Sequence, residues 1–217
     1  MLTLYHCLDA RSFRPLWTLE EMQLPYRLEM LPFPPRALAR EFKTINPLGT
    51  VPALLDGELM MTESAAICQY LVSRYQATAL AVEPEQADYG EFLNWLHFGE
   101  ATLTFPQTLL LRYGRFEPPE RRQTQVVEDY TGWFLGRLRA LERPLASQEM
   151  LCPSGFSIAD ISVGYALLLA EALGLDKDFT PAVAAYWQRL QARPGYQRAQ
   201  ARQQEQALAL GLKSPIR

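Results

Sequence analysis

Positive charge is not in surplus in this chain. Its formal net charge is −3 at pH 7, which gives no basic footprint for a phosphate backbone and removes nucleic acid from the expected partners. Cysteine is scarce: Cys7, Cys68 and Cys152 form an odd, widely spaced set with no Cys-x-x-Cys pair. No disulfide framework can be read from such a set, and it suits a reducing cytoplasm, the expected location. Histidine is scarcer still, with His6 and His97 alone, too few for a convincing triad. His97, inside Trp95-Leu96-His97-Phe98, reads as a helix contact rather than a base. No apolar run approaches the ~18 residues of a membrane span, so no membrane association is expected. The first residues, Met1-Leu2-Thr3-Leu4-Tyr5-His6, lack the positive segment and long apolar core of a signal peptide. The only biased tract, from Arg198 to Gln206, reads as a solvated terminal helix.

What is present is a core-forming composition, 48% hydrophobic and 21% charged over 217 residues. One or two globular domains follow from that. Leu2 to His6 reads as a short strand. Phe13, Leu16, Trp17 and Leu19 recur at three- and four-residue spacing and predict a helix from about Ser12. Leu24-Pro25 stops it, because the residue before proline is pushed out of the α region. Tyr26 to Leu31 alternates as a second strand. Pro32, Pro34 and Pro35 force a loop, and Leu38 to Phe42 is a short helical piece. Asp56-Gly57, the preferred hairpin dipeptide, lies between two further short strands, and a helix from Ser64 to about Tyr75 follows. The order β-α-β-α-β-β-α predicts a mixed sheet of thioredoxin-like type over residues 1–76.

Residues 77–86 read as a linker and 87–217 as all-helical. Tyr89, Phe92, Trp95, Leu96, Gly99 and Leu103 share a helical spacing, with Pro106 expected to kink or end that helix. Val126, Tyr130, Trp133, Phe134, Leu138 and Leu141 mark another helix. Ser157 with Asp160 three residues on forms a capping box, whose loss typically costs ~1 kcal/mol. The fold class is therefore α/β plus all-α.

The most specific segment is Asn46-Pro47-Leu48-Gly49-Thr50-Val51-Pro52, followed after the hairpin by Thr62-Glu63-Ser64 at a helix start. Proline fixes φ, glycine tolerates φ > 0, and a helix N-terminus accepts an anion. This run resembles the glutathione-binding half of the cytosolic glutathione transferases. The resemblance implies a cis peptide at Val51-Pro52, with the Val51 backbone pairing with the cysteinyl part of glutathione. It implies that Glu63 and Ser64 grip the γ-glutamyl end, and that Lys43 and Asn46 meet the glycyl carboxylate. Thr50 stands where the family often has lysine. Glutathione is the implied co-substrate, with no metal.

A free thiol of pKa ≈ 8.5 is only a few per cent ionised at neutral pH, so such a site needs a donor for the thiolate. Ala10-Arg11-Ser12-Phe13-Arg14 resembles the S-R-S-x-R of a bacterial and fungal branch, with Ala10 in place of the first serine. Three donors stay open: Ser12, either donor or plain helix cap; Tyr5, either donor or strand aromatic; and Arg11, either thiolate partner or solvated charge. Cys7 reads as a small buried cysteine rather than a mixed-disulfide former. Phe98, Leu103, Phe105, Leu109, Leu110 and Tyr113 could wall a pocket for a small apolar electrophile. The family's twofold interface implies a homodimer built by the helices from Ser64 to Tyr75 and from about Ala87 to Thr104. The implied activity is glutathione conjugation. Disulfide reduction or peroxidase chemistry, and glutathione binding with little turnover, are the alternatives.

Overall fold

The computed structural model describes residues 1–216, Thr78 by its backbone alone. The chain divides into two compact units, Met1–Thr78 with Gln191–Pro215, and Ala79–Leu190 with Ile216.

In the first unit, β1 (Leu2–His6), α1 (Phe13–Met22), β2 (Tyr26–Met30) and a single turn, α2 (Pro35–Leu38), are followed by a 3₁₀ segment, Arg40–Thr44. Then come β3 (Ala53–Asp56), β4 (Leu59–Met61) and α3 (Ser64–Arg74). The sheet order is β2-β1-β3-β4, with β1 parallel to β2 and antiparallel to β3. Flanked on both edges, β1 is buried along its whole length. Alternation puts Tyr5 and His6 on opposite faces. Tyr5 joins a cluster with Cys7, Ala10, Ala39, Phe42, Val51 and Ala53. The thioredoxin-like order and the mixed sheet are as the sequence predicts.

Two local details differ from expectation. The hairpin loop is Gly57-Glu58, because Asp56 stays in the ladder opposite Leu59. Hydroxyls of Tyr70 and Tyr75 donate to its Oδ2 at 2.7 and 2.8 Å, which holds its carboxyl below the ordinary range. Gly57 (φ +61) supplies the positive φ of the turn. A second cis peptide, Phe33-Pro34, accompanies the expected one at Val51-Pro52.

The second unit runs through α4 (Tyr89–His97), a π-helical stretch (Phe98–Thr104), α5 (Phe105–Leu111), a second π stretch (Arg112–Phe116), α6 (Thr124–Leu138), the short α7 (Glu142–Leu145), α8 (Ile158–Ala172) and α9 (Pro181–Gln191). Pro106 does not end the helical path. It sits in the first turn of α5, where its missing N–H costs least, and a π-helical stretch precedes it. Thr104 Oγ1 donates to the Gly99 carbonyl at 2.7 Å within that stretch. At Gly99 a Cβ would lie 2.5 Å from the Ser162 carbonyl carbon, so glycine is what lets this stretch lie against α8. Ser162 Oγ completes the contact by donating to the Leu96 carbonyl at 2.7 Å.

α8 is the core of this unit, buried from Ile158 to Ala170. Its capping box forms as expected: Ser157 Oγ accepts from Ala159 N–H at 3.2 Å, and Ser157 N–H donates to Asp160 Oδ2 at 2.9 Å. Of the aromatic stripe on α6, Phe134 is buried, whereas Trp133 is 48% exposed. The Arg137 guanidinium covers the Trp133 ring, 3.7 Å from its centroid.

The last helix, α10 (Pro194–Ala209), belongs to the first unit. It is not the solvated helix expected from its Gln/Ala/Arg composition. Tyr196, Ala199, Gln203 and Ala207 are buried at spacings of three and four, one face of a helix. The Tyr196 ring lies edge-on to Trp17 and Phe13, with centroids at 5.0 and 5.7 Å. Arg193 clamps Glu21 at 2.8 and 3.0 Å.

Candidate functional site

The N-terminal end of α3 carries the first part of the site. Glu63 stands at its cap position with extended backbone, is exposed and makes no side-chain cap bond. Ser64 is buried, and its Oγ accepts from Arg14 Nη1 at 3.2 Å. Arg14 is itself fully buried on α1. A guanidinium behind a helix N-terminus adds a full positive charge to the partial one of the helix end, and both favour an anion there. Sequence reasoning gave Arg14 no role. Its signal was an arginine amid Phe13, Leu16 and Trp17, where only a partnered cation can sit.

The loop before β3 carries the second part. The Asn46 side chain is used inside the loop: Nδ2 donates to the Thr50 carbonyl at 2.8 Å and Oδ1 accepts from Leu48 N–H at 3.1 Å. Asn46 therefore pins the loop rather than turning its amide outward. Gly49 (φ +60) closes it against Arg36, where a Cβ would lie 2.8 Å from the Arg36 Cβ. Lys43, in the 3₁₀ segment before the loop, and Thr50, on the loop, are both exposed. Val51 and Pro52 are buried and precede β3, whose ladders begin at Ala53 towards β1 and at Leu54 towards β4. The Val51 backbone extends past both ladders.

The β1–α1 turn is the third part, and Ala10 shares the apolar cluster of Val51 and Cys7. Tyr5 packs its ring on Phe42, with centroids 5.1 Å apart, and is buried inside that cluster. Cys7 is buried, with Sγ 3.8 Å from the Pro32 carbonyl, and burial pushes its thiol up to about 12. It stays a neutral thiol at physiological pH.

Ser12 is fully buried, with Oγ 2.7 Å from His6 Nδ1, and makes no cap bond to α1. The direction of that bond follows from its neighbours. Gln203 Oε1 accepts from Asp9 N–H at 3.1 Å, while Gln203 Nε2 donates to Asp9 Oδ1 at 2.9 Å and to Gln200 Oε1 at 2.8 Å. His6 Nε2, 3.0 Å from the same Oε1, must carry the ring proton. Burial lowers the His6 pKa to about 4, against the opposing pull of its bonds to Gln203 and Ser12, so the ring is neutral and its Nδ1 is bare. Ser12 Oγ therefore donates its one proton to Nδ1. The sequence left Ser12 open as donor or helix cap; it makes no side-chain cap bond, and its proton is directed at His6. Of the three candidate donors, Arg11 alone is half-exposed at the turn.

Leu103 and Leu110, named for an electrophile pocket, are core residues of the second unit, whereas Phe105 is 57% exposed. Among the described residues no group of His, Cys, Asp and Glu is arranged to hold a metal, and no helix is long and apolar enough to cross a membrane.

A profile for the glutathione S-transferase N-terminal domain matches residues 10–74. A probable glutathione S-transferase of Oryza sativa subsp. japonica is 30% identical over 201 residues, 83% of this chain and 86% of that one. Glutathione S-transferase 3 of Schizosaccharomyces pombe is 32% identical over 103 residues, a stretch covering 48% of this chain and only 43% of that relative. Among solved structures, a sphingomonad glutathione S-transferase complexed with glutathione superposes with a TM-score of 0.80 at 26% identity, over 93% of this chain and 98% of that one.

Proposed function

From the premise that this chain belongs to the glutathione S-transferase family and is a glutathione transferase, we propose that it holds glutathione on its first unit and adds the thiolate to small apolar electrophiles. The observation that carries this reading is the buried Arg14 guanidinium bonded to Ser64 Oγ at the N-terminus of α3. That end takes the γ-glutamyl carboxylate, and the exposed Glu63 carboxylate takes its ammonium. The Val51 backbone pairs with the cysteinyl unit as an added strand. Lys43, just before the loop that Asn46 pins, meets the glycyl carboxylate beside Thr50.

The thiol then lies by the turn of Ala10 and Arg11. With the Ser12 proton committed to His6, the thiolate is held by the Arg11 guanidinium and the α1 N-terminus. A hydrogen bond to a charged group contributes roughly 1.5–3 kcal/mol, and a helix end 0.3–1 kcal/mol. Together these lower a thiol pKa by one to two units at about 1.4 kcal/mol each. The thiol proton leaves to solvent, sulfur bonds to the electrophilic carbon, and the leaving group departs with its electron pair. Disulfide reduction through Cys7 is disfavoured by the burial and high pKa of that thiol. A cytoplasmic setting, where glutathione is abundant, suits three buried free cysteines.

Ser64→Ala and Glu63→Ala are each expected to weaken glutathione by about 2 kcal/mol, roughly thirtyfold in Kd, because each strips polar partners from a charged ligand. Calorimetry on the full chain tests this, and unchanged affinity in both variants would remove the reading. Conjugation of an aryl halide should survive Cys7→Ser.

A homodimer is the proposed assembly. Leu59, Met60 and Tyr75 are 42%, 37% and 37% exposed on β4 and just past α3, apolar surface of the kind a twofold partner covers. Light scattering at micromolar concentration should give twice the chain mass; a monomer would overturn the assembly.

A further inference from the structure

We propose that Gln203 on α10 is a positioning residue for the thiol-binding turn, fixing through its carboxamide the direction of the backbone at Asp9, Ala10 and Arg11. The proposal rests on the glutathione reading above and adds to it a residue nearly two hundred positions from the turn. Asp9 is held at φ +56, a conformation few residues other than glycine adopt. Three hydrogen bonds from the C-terminal segment hold it there. Its N–H goes to Gln203 Oε1, its Oδ1 accepts from Gln203 Nε2, and its Oδ2 accepts from Ser214 Oγ at 2.8 Å. From Asp9 the chain closes a tight turn, with Ala10 N–H donating to the Cys7 carbonyl at 3.0 Å, and enters α1.

The same carboxamide acts a second time. Its oxygen sets the His6 tautomer, and the tautomer draws the Ser12 hydroxyl inward, leaving backbone direction and Arg11 as what the turn offers a thiolate. A site loses rate steeply when its donors move by an ångström, so the residue that holds the turn should act on thiol ionisation more than on affinity. Affinity resides at Val51, Glu63 and Ser64, on other elements. Only an amide fits the position: its oxygen accepts twice and its nitrogen donates twice.

The test uses the full-length chain, with glutathione and an aryl halide as probes. In Gln203→Glu a second carboxylate oxygen faces Asp9 Oδ1 where a donor stood. The expected result is a glutathione Kd within about threefold of wild type, a bound-thiol pKa raised by about one unit in ultraviolet titration, and a kcat lowered about tenfold. Adding Asp9→Asn restores a donor between the two side chains, and the double variant should recover most of the kcat and the thiol pKa. A folded Gln203→Glu with unchanged thiol pKa and kcat overturns the proposal, as does a double variant with no recovery. If Gln203→Glu does not fold, Ser214→Ala decides: it removes one donor to Asp9 at the chain end and should raise the thiol pKa by a smaller amount, and no change overturns the proposal. A wild-type chain that does not bind glutathione fails at the first measurement and sinks the underlying reading, a result distinct from intact binding with an insensitive thiol.

Discussion

Asp160→Ala lowers the unfolding free energy by about 4 kcal/mol, the largest loss expected from a single change in the second unit. The carboxylate is fully buried at the start of α8. Oδ1 accepts from Leu151 N–H at 3.1 Å and Tyr186 Oη at 2.8 Å, and Oδ2 from Ser157 N–H at 2.9 Å. Alanine leaves the N–H groups of Leu151 and Ser157 and the hydroxyls of Tyr186 and, more weakly, Ser157 without this acceptor, each strong donor costing roughly 1–3 kcal/mol, with less than full additivity because they share one group. Simple loss of a helix cap would cost only ~1 kcal/mol. Urea unfolding distinguishes the two: a change near 1 kcal/mol would show that Asp160 is only a cap. Asp160→Asn keeps an acceptor for two of the donors and should fall between wild type and alanine.

Acidification removes about 3 kcal/mol of stability through His6 alone. Its pKa falls from 6.5 in the unfolded chain to about 4 in the fold, because burial disfavours the imidazolium. A depressed folded pKa means that the unfolded chain binds the proton first. The His6 contribution is therefore complete above pH 6.5 and is lost progressively as the pH drops towards 4. His6→Asn retains an acceptor for Ser12 and does not titrate in this window. The variant is less stable at neutral pH, and its stability should fall less steeply between these limits. Parallel pH profiles for variant and wild type, measured by urea unfolding, would refute the assignment. The window also covers the network that holds the turn, so glutathione conjugation should decline with stability on acidification.

The loop, strand start and helix start of residues 46–64 were legible because each of these parts is local. Asn46-Pro47 and Gly49 shape one loop, Val51-Pro52 starts one strand, and Glu63-Ser64 opens one helix, so spacing along the chain carried the geometry. The same holds for the strand and helix order of the first unit and for the Ser157–Asp160 box, whose bonds span three residues. Periodicity, by contrast, names a buried face without naming what lies against it. That is why α10 looked solvated: four of its five buried positions are small or polar, and Gln203 becomes interior because His6 and Asp9, at the other end of the chain, together with Gln200, use its bonding capacity. Ser12 illustrates the same limit. A serine before a helix reads as a cap or a donor from its neighbours in sequence, and only the imidazole beside it decides where its single proton goes. Arg14 is buried on α1, and an acceptor that meets it there, Ser64, lies fifty residues on. The sequence by itself thus determined the fold class and the family, and the local shape of the run from Asn46 to Ser64, all consequences of short-range sterics and pattern. Tertiary packing decided which polar side chains are committed inside, since a buried donor must find its acceptor wherever the fold brings one.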